Sequence, residues 1–294
     1  MKKISVYQVL IYVVLITMSA LAVIPFLLML SSSFCSEQVL ISDGYNLIPR
    51  EISFGAYEYL YRNGSTILRA YGTTIFVTLF GTLVGTTITM LLAYPLSIRG
   101  LPGRKVINFL VYFTMLFNGG LVPTYMLYSR YLGLKNQIWA LIIPALLMRA
   151  YYVILSRSFF STSIPQEILE AGRIDGAGEF KIFLSIVRPM STPIIATIAL
   201  MQGIAYWNDW TNGLYYITDK SLYSIQQLLN QMINDIKAVQ SADFITVMAG
   251  NAMDVPTTAV RMAIAIVAVL PIMVTYPFFQ KYFIKGLTLG AVKG

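Results

Sequence analysis

Six long stretches of this chain carry no charge apart from one arginine, and they constrain the fold more than any other feature. They run Val9–Leu30, Ala70–Ile98, Val106–Ser129, Asn136–Ser156, Pro189–Asn208 and Met262–Gln280, and Arg149 is the one ionised side chain inside them. A helix rises 1.5 Å per residue, so crossing about 30 Å of hydrocarbon takes about 20 residues. Every window reaches that length. Apolar residues run round the whole circumference, without the polar stripe of a soluble amphipathic helix. The windows predict an all-α integral membrane protein with six transmembrane helices, at about 9–30, 70–98, 106–129, 136–156, 189–210 and 260–280. With 57% of residues apolar and only 12% charged, a soluble enzyme is excluded.

The net charge of +8 has three readings: a nucleic-acid footprint, a solubility device, or a topology signal. Its distribution decides. With both termini inside, segments 1–8, 99–105, 157–188 and 281–294 hold 12 of the 21 Lys and Arg residues. The outer segments 31–69, 130–135 and 209–261 hold 8, although they are longer. Basic residues concentrate on the cytoplasmic side of membrane proteins, so both termini are expected there and no nucleic-acid partner is expected.

Lys2 and Lys3 precede the first window, as they would in a signal peptide. The window is longer than the roughly 7–15 residues of a cleavable apolar core and lacks a small-residue cleavage site. Phe34 before Cys35 is too bulky for lipoprotein processing. An uncleaved first span is expected. The chain contains no His, which removes most metal and general-base chemistry. Its one cysteine excludes an internal disulfide and a multi-cysteine metal cage.

Within the windows, Gly81 and Gly85 form a small-xxx-small pair in a threonine-rich stretch, which reads as ordinary helix packing in lipid. Asn118-Gly119-Gly120 followed by Pro123 interrupts the third window, or marks its outer end. Arg149 is expected to face a cavity or a partner rather than lipid.

Segment 157–188 is unlike the rest. It holds four basic and four acidic residues, so it is neutral. Ser163 with Gln166 has the spacing of a capping box, and Pro165 suits a first helical turn. A short helix is expected from about Ile164 to Ile174, with Gly176 as its stop. A second amphipathic stretch carries Phe180, Phe183, Leu184 and Val187, and Pro189 is expected to end it. Ile164, Ile168 and Leu169 must bury themselves on the span ends or on another protein. Ala171 and Gly172 would let a partner approach closely.

Glu170-Ala171-Gly172, Gly176, Ile186 and Pro189 match the spacing E-A-A-x3-G-x9-I-x-L-P, with Gly172 replacing an alanine and Arg188 a leucine. This resembles the EAA motif of ABC importer permeases. The string EAGRIDGAGEFKIFLSIVRPM, with NGGLVPTY at 118–125, YWNDWTNGL at 206–214 and the tail from Phe279, is similar to the maltose-type carbohydrate importer family. The resemblance runs from about residue 9 to the C-terminus and is nearest to the branch serving complex oligosaccharides in Gram-positive bacteria.

That resemblance implies a type I ABC importer (MetI-like) permease fold with a cytoplasmic coupling helix. The chain would be a multi-pass protein of the bacterial cell (inner) membrane. Its partners would be a second permease subunit of different sequence, an ATPase dimer, an extracytoplasmic solute-binding lipoprotein, an oligosaccharide substrate and membrane lipid. Glu170, Ala171, Gly172, Asp175 and Gly176 would contact the ATPase. The tail 281–294 would reach toward it, although Gly286, Gly290 and Gly294 argue against one continuous rigid helix there. No cofactor binds the chain directly in this reading. It lacks a G-x-x-x-x-G-K-[ST] phosphate loop, so ATP and Mg belong to the partner ATPase.

Candidates for the substrate path are Asn118, Arg149, Trp207, Asn208, Asp209, Gln226 and Gln227. Arg149 equally suits a structural pair with the second permease. Trp207 to Asn212 mixes aromatic faces with hydrogen-bonding groups, as sugar sites do and as interfacial belts also do. The resemblance implies that segment 209–261 faces the binding protein, and Ser224–Gln231 is expected to form a short helix. The rivals are an ion-coupled secondary transporter of small solutes and an intramembrane enzyme. The windows hold no acidic residue for proton coupling and no Asp pair for catalysis.

Overall fold

The computed structural model describes residues 6–246 and 257–291. Lys2, Lys3, the 247–256 part of the predicted outer segment and Gly294 lie outside the described residues. The chain begins with α1 (Val6–Ser33), the short α2 (Glu37–Ser42) and α3 (Gly55–Arg62), then the long α4 (Gly64–Ser97). Next come α5 (Arg104–Leu116) and α6 (Leu121–Met126), which continues as a π turn to Tyr131. A 3-10 turn at Ile138–Leu141 precedes α7 (Ala150–Ser163) and α8 (Gln166–Ile174). The following helix is built from α9 (Glu179–Ile182), a π turn (Phe183–Val187) and α10 (Arg188–Met190). The described chain closes with α11 (Thr192–Trp207), α12 (Thr211–Tyr216), α13 (Ile225–Thr246) and α14 (Thr257–Ala291).

By length and composition, α1 and α4 alone are long and apolar enough to cross a membrane among the described residues. Two bent pairs also qualify if each is counted as one span. The first is α5 with Leu121–Tyr131, bent by 114°, and the second is Glu179–Met190 with α11, bent by 83°. The apolar stretch of α14, Thr258–Val274, is shorter.

The chain divides into two compact units, Met1–Leu68 with Leu229–Pro271, and Arg69–Leu228 with Ile272–Gly294. In the first, Phe34 stacks on Tyr57 at 4.7 Å and meets Phe54 edge-on at 5.9 Å. Glu37 caps the start of α14, its carboxylate accepting the Thr258 and Ala259 N–H groups at 2.9 and 3.1 Å. A carboxylate at that end complements the helix dipole.

The second unit holds the core that positions segment 157–188. Tyr94 and Leu96 of α4, Phe160 of α7, Leu169 of α8, and Ile182 and Val187 from the α9 helix are all buried together. Ile164 and Leu169 therefore find their apolar partners inside this chain, each 4% exposed, while Ile168 stays at the surface.

Several sequence expectations are revised. The 136–156 window is not one helix: a 3-10 turn gives way to irregular backbone over 142–149, and α7 starts only at Ala150. Pro144 has no N–H to continue a helix, and Ala145 takes a left-handed φ of 57°. The Ser163–Gln166 capping box does not form. Ser163 is the last residue of α7, so the extended Pro165 holds the N-cap position of α8. Pro189 does not end the helix before the fifth window. The π turn, closed by the Arg188 N–H on the Phe183 carbonyl, carries the chain past it, and the bend falls at Ser191. Gly286 and Gly290 do not interrupt the tail, since α14 runs through both to Ala291. A glycine costs a helix about 1 kcal/mol, too little to break it alone.

Candidate functional site

α8 is held by its inward side and presents the other. Leu169 and Gly172 are buried, whereas Glu167, Glu170, Ala171 and Asp175 are exposed. Gly172 turns toward its own chain. A Cβ there would come within 3.1 Å of Ile186 and 3.4 Å of Ile182, so the glycine seats α8 against its own chain. The helix ends in a Schellman motif: Ala177 N–H reaches the Gly172 carbonyl and Gly176 N–H the Arg173 carbonyl, both at 3.0 Å. Gly176 makes this turn at φ +76°, which side-chain-bearing residues adopt only with strain.

One charged tether holds α8, and a second closes the end of α4. Arg173 Nε donates to Glu179 Oε1 at 2.7 Å, and the Tyr94 hydroxyl donates to Glu179 Oε2 at 2.9 Å. Arg104 and Arg157 both donate to the Leu96 carbonyl, at 2.8 and 3.2 Å, closing the C-terminal end of α4 where the helix dipole favours cations. The Arg173 bond, ahead of the weaker contribution from Tyr94, holds the Glu179 carboxyl below its ordinary 4.5.

A second locus is the irregular stretch 142–149. Backbone polar groups in apolar surroundings need protein partners, and α11 and α12 supply them. Tyr206 donates its hydroxyl to the Ile142 carbonyl at 2.9 Å, Asn212 its amide to Pro144 at 3.1 Å, and Gln202 its amide to Leu146 at 2.8 Å. α4 must come close for this to pack. A Cβ on Gly81 would run into the Tyr206 ring, and one on Gly85 into Gln202 and the Leu147 carbonyl. The glycine pair therefore serves a specific side-chain cradle rather than a generic helix crossing.

Of the expected substrate-path residues, Arg149 and Asp209 lie near enough to interact electrostatically, and the others make separate contacts. Arg149 takes the N-cap position of α7 and lies over the Tyr152 ring at 5.8 Å, half-buried and without a carboxylate within ion-pair distance among the described residues. Asp209 is half-buried, and its Oδ1 accepts the Thr211 and Asn212 N–H groups at 3.1 and 3.2 Å, starting α12. Trp207 lies 6.3 Å from Tyr71, ring to ring, and Asn208 is exposed, bonding back to Ile204. Asn118 is exposed and accepts the Gly120 N–H at 2.9 Å, turning the break between α5 and α6. Gln227 is 3% exposed and packs on Gly213, so it is no surface group, while Gln226 is half-buried.

Sequence reasoning missed Gln202, Tyr206, Tyr94 and Glu179. A carboxamide in the middle of a charge-free window was the available signal for Gln202, since a buried amide needs carbonyl partners. Nothing in the spacing joins Tyr94 to Glu179, 85 residues apart.

An all-helical apolar chain that presents one short capped helix from a polar segment has the build of a transport subunit. The chain belongs to the family of binding-protein-dependent transport system inner membrane components, whose profile matches residues 4–289. Its fold is the MetI-like type I ABC permease fold, and ATP hydrolysis in this family resides on a separate subunit. It is similar to the polygalacturonan/rhamnogalacturonan transport system permease protein YtcP of Bacillus subtilis (strain 168), 37% identical over 288 residues that cover 98% of each chain. Protein LplC of the same organism is 36% identical over 277 residues, 94% of this chain and 90% of that one. Among solved structures, a bacterial ABC transporter involved in the import of the acidic polysaccharide alginate matches with a TM-score of 0.79 and 27% identity. That match covers 96% of this chain and 98% of the other.

Proposed function

We propose that this chain forms half of the translocation path of an ATP-driven importer for complex oligosaccharides, paired with a permease subunit of different sequence. Six spans place both termini in the cytoplasm of a bacterial cell. α8 is the coupling helix, seated on the ATPase pair through Glu170, Ala171, Asp175 and Gly176, while an extracytoplasmic lipoprotein delivers the sugar. ATP-driven closure of the ATPases moves α8, and the spans rock between inward- and outward-facing states. The end of α14, from Lys281 to Ala291, runs toward the same ATPases.

The observation that carries this reading is the two-sidedness of α8. One side is locked on Ile182 and Ile186, and the other leaves Glu170 and Asp175 open. Replacing Glu170 by Lys is expected to leave the permease pair assembled while uncoupling uptake from ATP hydrolysis. Uptake at the wild-type rate by that variant would remove the docking assignment.

One relative is named for polygalacturonan and rhamnogalacturonan, and the structural neighbour for an acidic polysaccharide. Arg149, cationic within an apolar stretch, supports a substrate bearing carboxylates. Guanidinium groups bind carboxylates in a planar, two-pronged fashion. Arg149 is assigned to the sugar path on this ground, with Trp207 and Asn208 at the end of α11 offering an aromatic face and an amide.

A further inference from the structure

Glu179 uses its two carboxylate oxygens on two different elements. Oε1 accepts Arg173 Nε from the last turn of α8 at 2.7 Å, and Oε2 accepts the Tyr94 hydroxyl from α4 at 2.9 Å. Tyr94 is itself fixed: 4% exposed, its ring lies 5.5 Å from Phe183 and 6.3 Å, edge-on, from Phe160. A path of two hydrogen bonds therefore runs from the docking helix into the end of a membrane-length helix. The Arg173 bond has the length of a charge-assisted contact, the Tyr94 bond is an ordinary one, and both are directional. The Arg173 and Glu179 side chains are 35% and 54% exposed, and ion pairs that wet add little to stability. Their geometric value exceeds their energetic one.

α8 has other holds on the core, through Leu169 and Gly172. Those contacts are apolar and carry no directional bond. The polar path adds direction, because a hydrogen bond weakens steeply when its angle is lost. α8 has nine residues, too few to be stable or positioned by itself.

We propose that Glu179 is the joint that transmits displacement of α8 to α4, with Arg173 and Tyr94 as its two pins. All three are positioning residues, outside the ATPase-contact set. The proposal rests on the reading of α8 as the coupling helix.

The test uses the whole complex, both permeases with the ATPase pair, reconstituted in proteoliposomes with its binding protein. Co-purifying ATPase, ATP hydrolysis and sugar uptake are measured for wild type, Tyr94→Phe, Glu179→Gln and the exchange Arg173→Glu with Glu179→Arg. Tyr94→Phe preserves the ring and removes only the hydroxyl, and Glu179→Gln preserves shape and one acceptor. The joint predicts full ATPase content, continued hydrolysis, and sugar moved per ATP lowered about fivefold or more in Tyr94→Phe, a common size of coupling between sites. Glu179→Gln falls less, and the exchanged pair recovers toward wild type.

Unchanged sugar per ATP in Tyr94→Phe and Glu179→Gln overturns the joint. So does loss of the ATPase from these variants, because the three residues would then merely build the docking surface. Glu170→Lys, run in parallel, separates the two levels. If it too leaves ATPase content and sugar per ATP untouched, the reading of α8 as coupling helix fails, and the joint with it.

Discussion

Gln202 donates its side-chain amide to the Leu146 carbonyl at 2.8 Å. This single bond links the middle of an apolar helix to a backbone stretch that has given up its own helical bonding. Together with Tyr206 on Ile142 and Asn212 on Pro144, it makes irregular backbone tolerable inside an apolar protein.

Removing that donor should loosen the cradle. Gln202→Leu leaves the Leu146 carbonyl without its partner, an omission that costs about 1–3 kcal/mol when the group is buried. Gly85→Ala is expected to cost a similar amount, about 1–3 kcal/mol, by forcing a methyl against Gln202 and the Leu147 carbonyl. Thermal unfolding of the purified complex in detergent reads both. A variant of either kind with unaltered unfolding would mean the stretch repacks freely.

Gly176 should resist substitution for a different reason. At φ +76° an alanine pays a left-handed cost of about 1–2 kcal/mol, and nothing lies within 4 Å of the added methyl. Gly176→Ala is therefore expected to fray the end of α8 without a clash. Reduced ATPase content in the purified complex, partly restored by Gly176→Asn, is the expected result, because asparagine tolerates the left-handed region best.

Three glycines show how much was legible in the chain. Gly176 was readable as a helix stop, because the signal is local: one permissive residue after an amphipathic run. Gly81 and Gly85 were readable only as small. Their purpose depends on Tyr206 and Gln202, which reach them from more than a hundred residues away, and no local pattern encodes that approach. The same divide separates α1 and α4, whose apolar windows are helices, from 136–156, whose window is equally apolar. Charge-free composition reports compatibility with lipid; Pro144 and distant donors determine whether the backbone is straight. In segment 157–188, the inward turn of Leu169 and Ile164 follows from amphipathic spacing. The inward turn of Gly172 follows from Ile182 and Ile186 and was not visible beforehand.

Coupling should be insensitive to mild acid at the Glu179 joint. Its carboxyl titrates below its ordinary 4.5, held down chiefly by Arg173. A depressed carboxylate contributes its full stabilisation above the unfolded-state value and loses it as pH falls through the lower folded-state one. The ratio of sugar moved to ATP hydrolysed is expected to stay flat from about pH 8 to about pH 5.5, both well above the carboxylate range. A midpoint inside that interval that disappears in Glu179→Gln would contradict the assignment.

Arg149 gives the substrate prediction. Arg149→Gln should weaken uptake of uronate-bearing oligosaccharides about tenfold or more, the scale of a lost charged hydrogen bond at about 1.5–3 kcal/mol. Neutral oligosaccharides of equal length should be affected much less. Competition for uptake across a panel of both kinds measures it. Equal losses on both would instead assign Arg149 to the interface with the second permease.

An ATP-driven importer and an ion-driven carrier differ most directly in their energy source. Proteoliposomes holding the complete complex and its binding protein, loaded with ATP and Mg, are compared with identical vesicles lacking ATP and with vesicles holding this chain alone. Sugar uptake is measured with and without proton and sodium gradients. The account predicts uptake by the complete complex with ATP, none without it, and none by the isolated chain under any gradient. Uptake by the isolated chain driven by an ion gradient would contradict it and make the protein a secondary carrier.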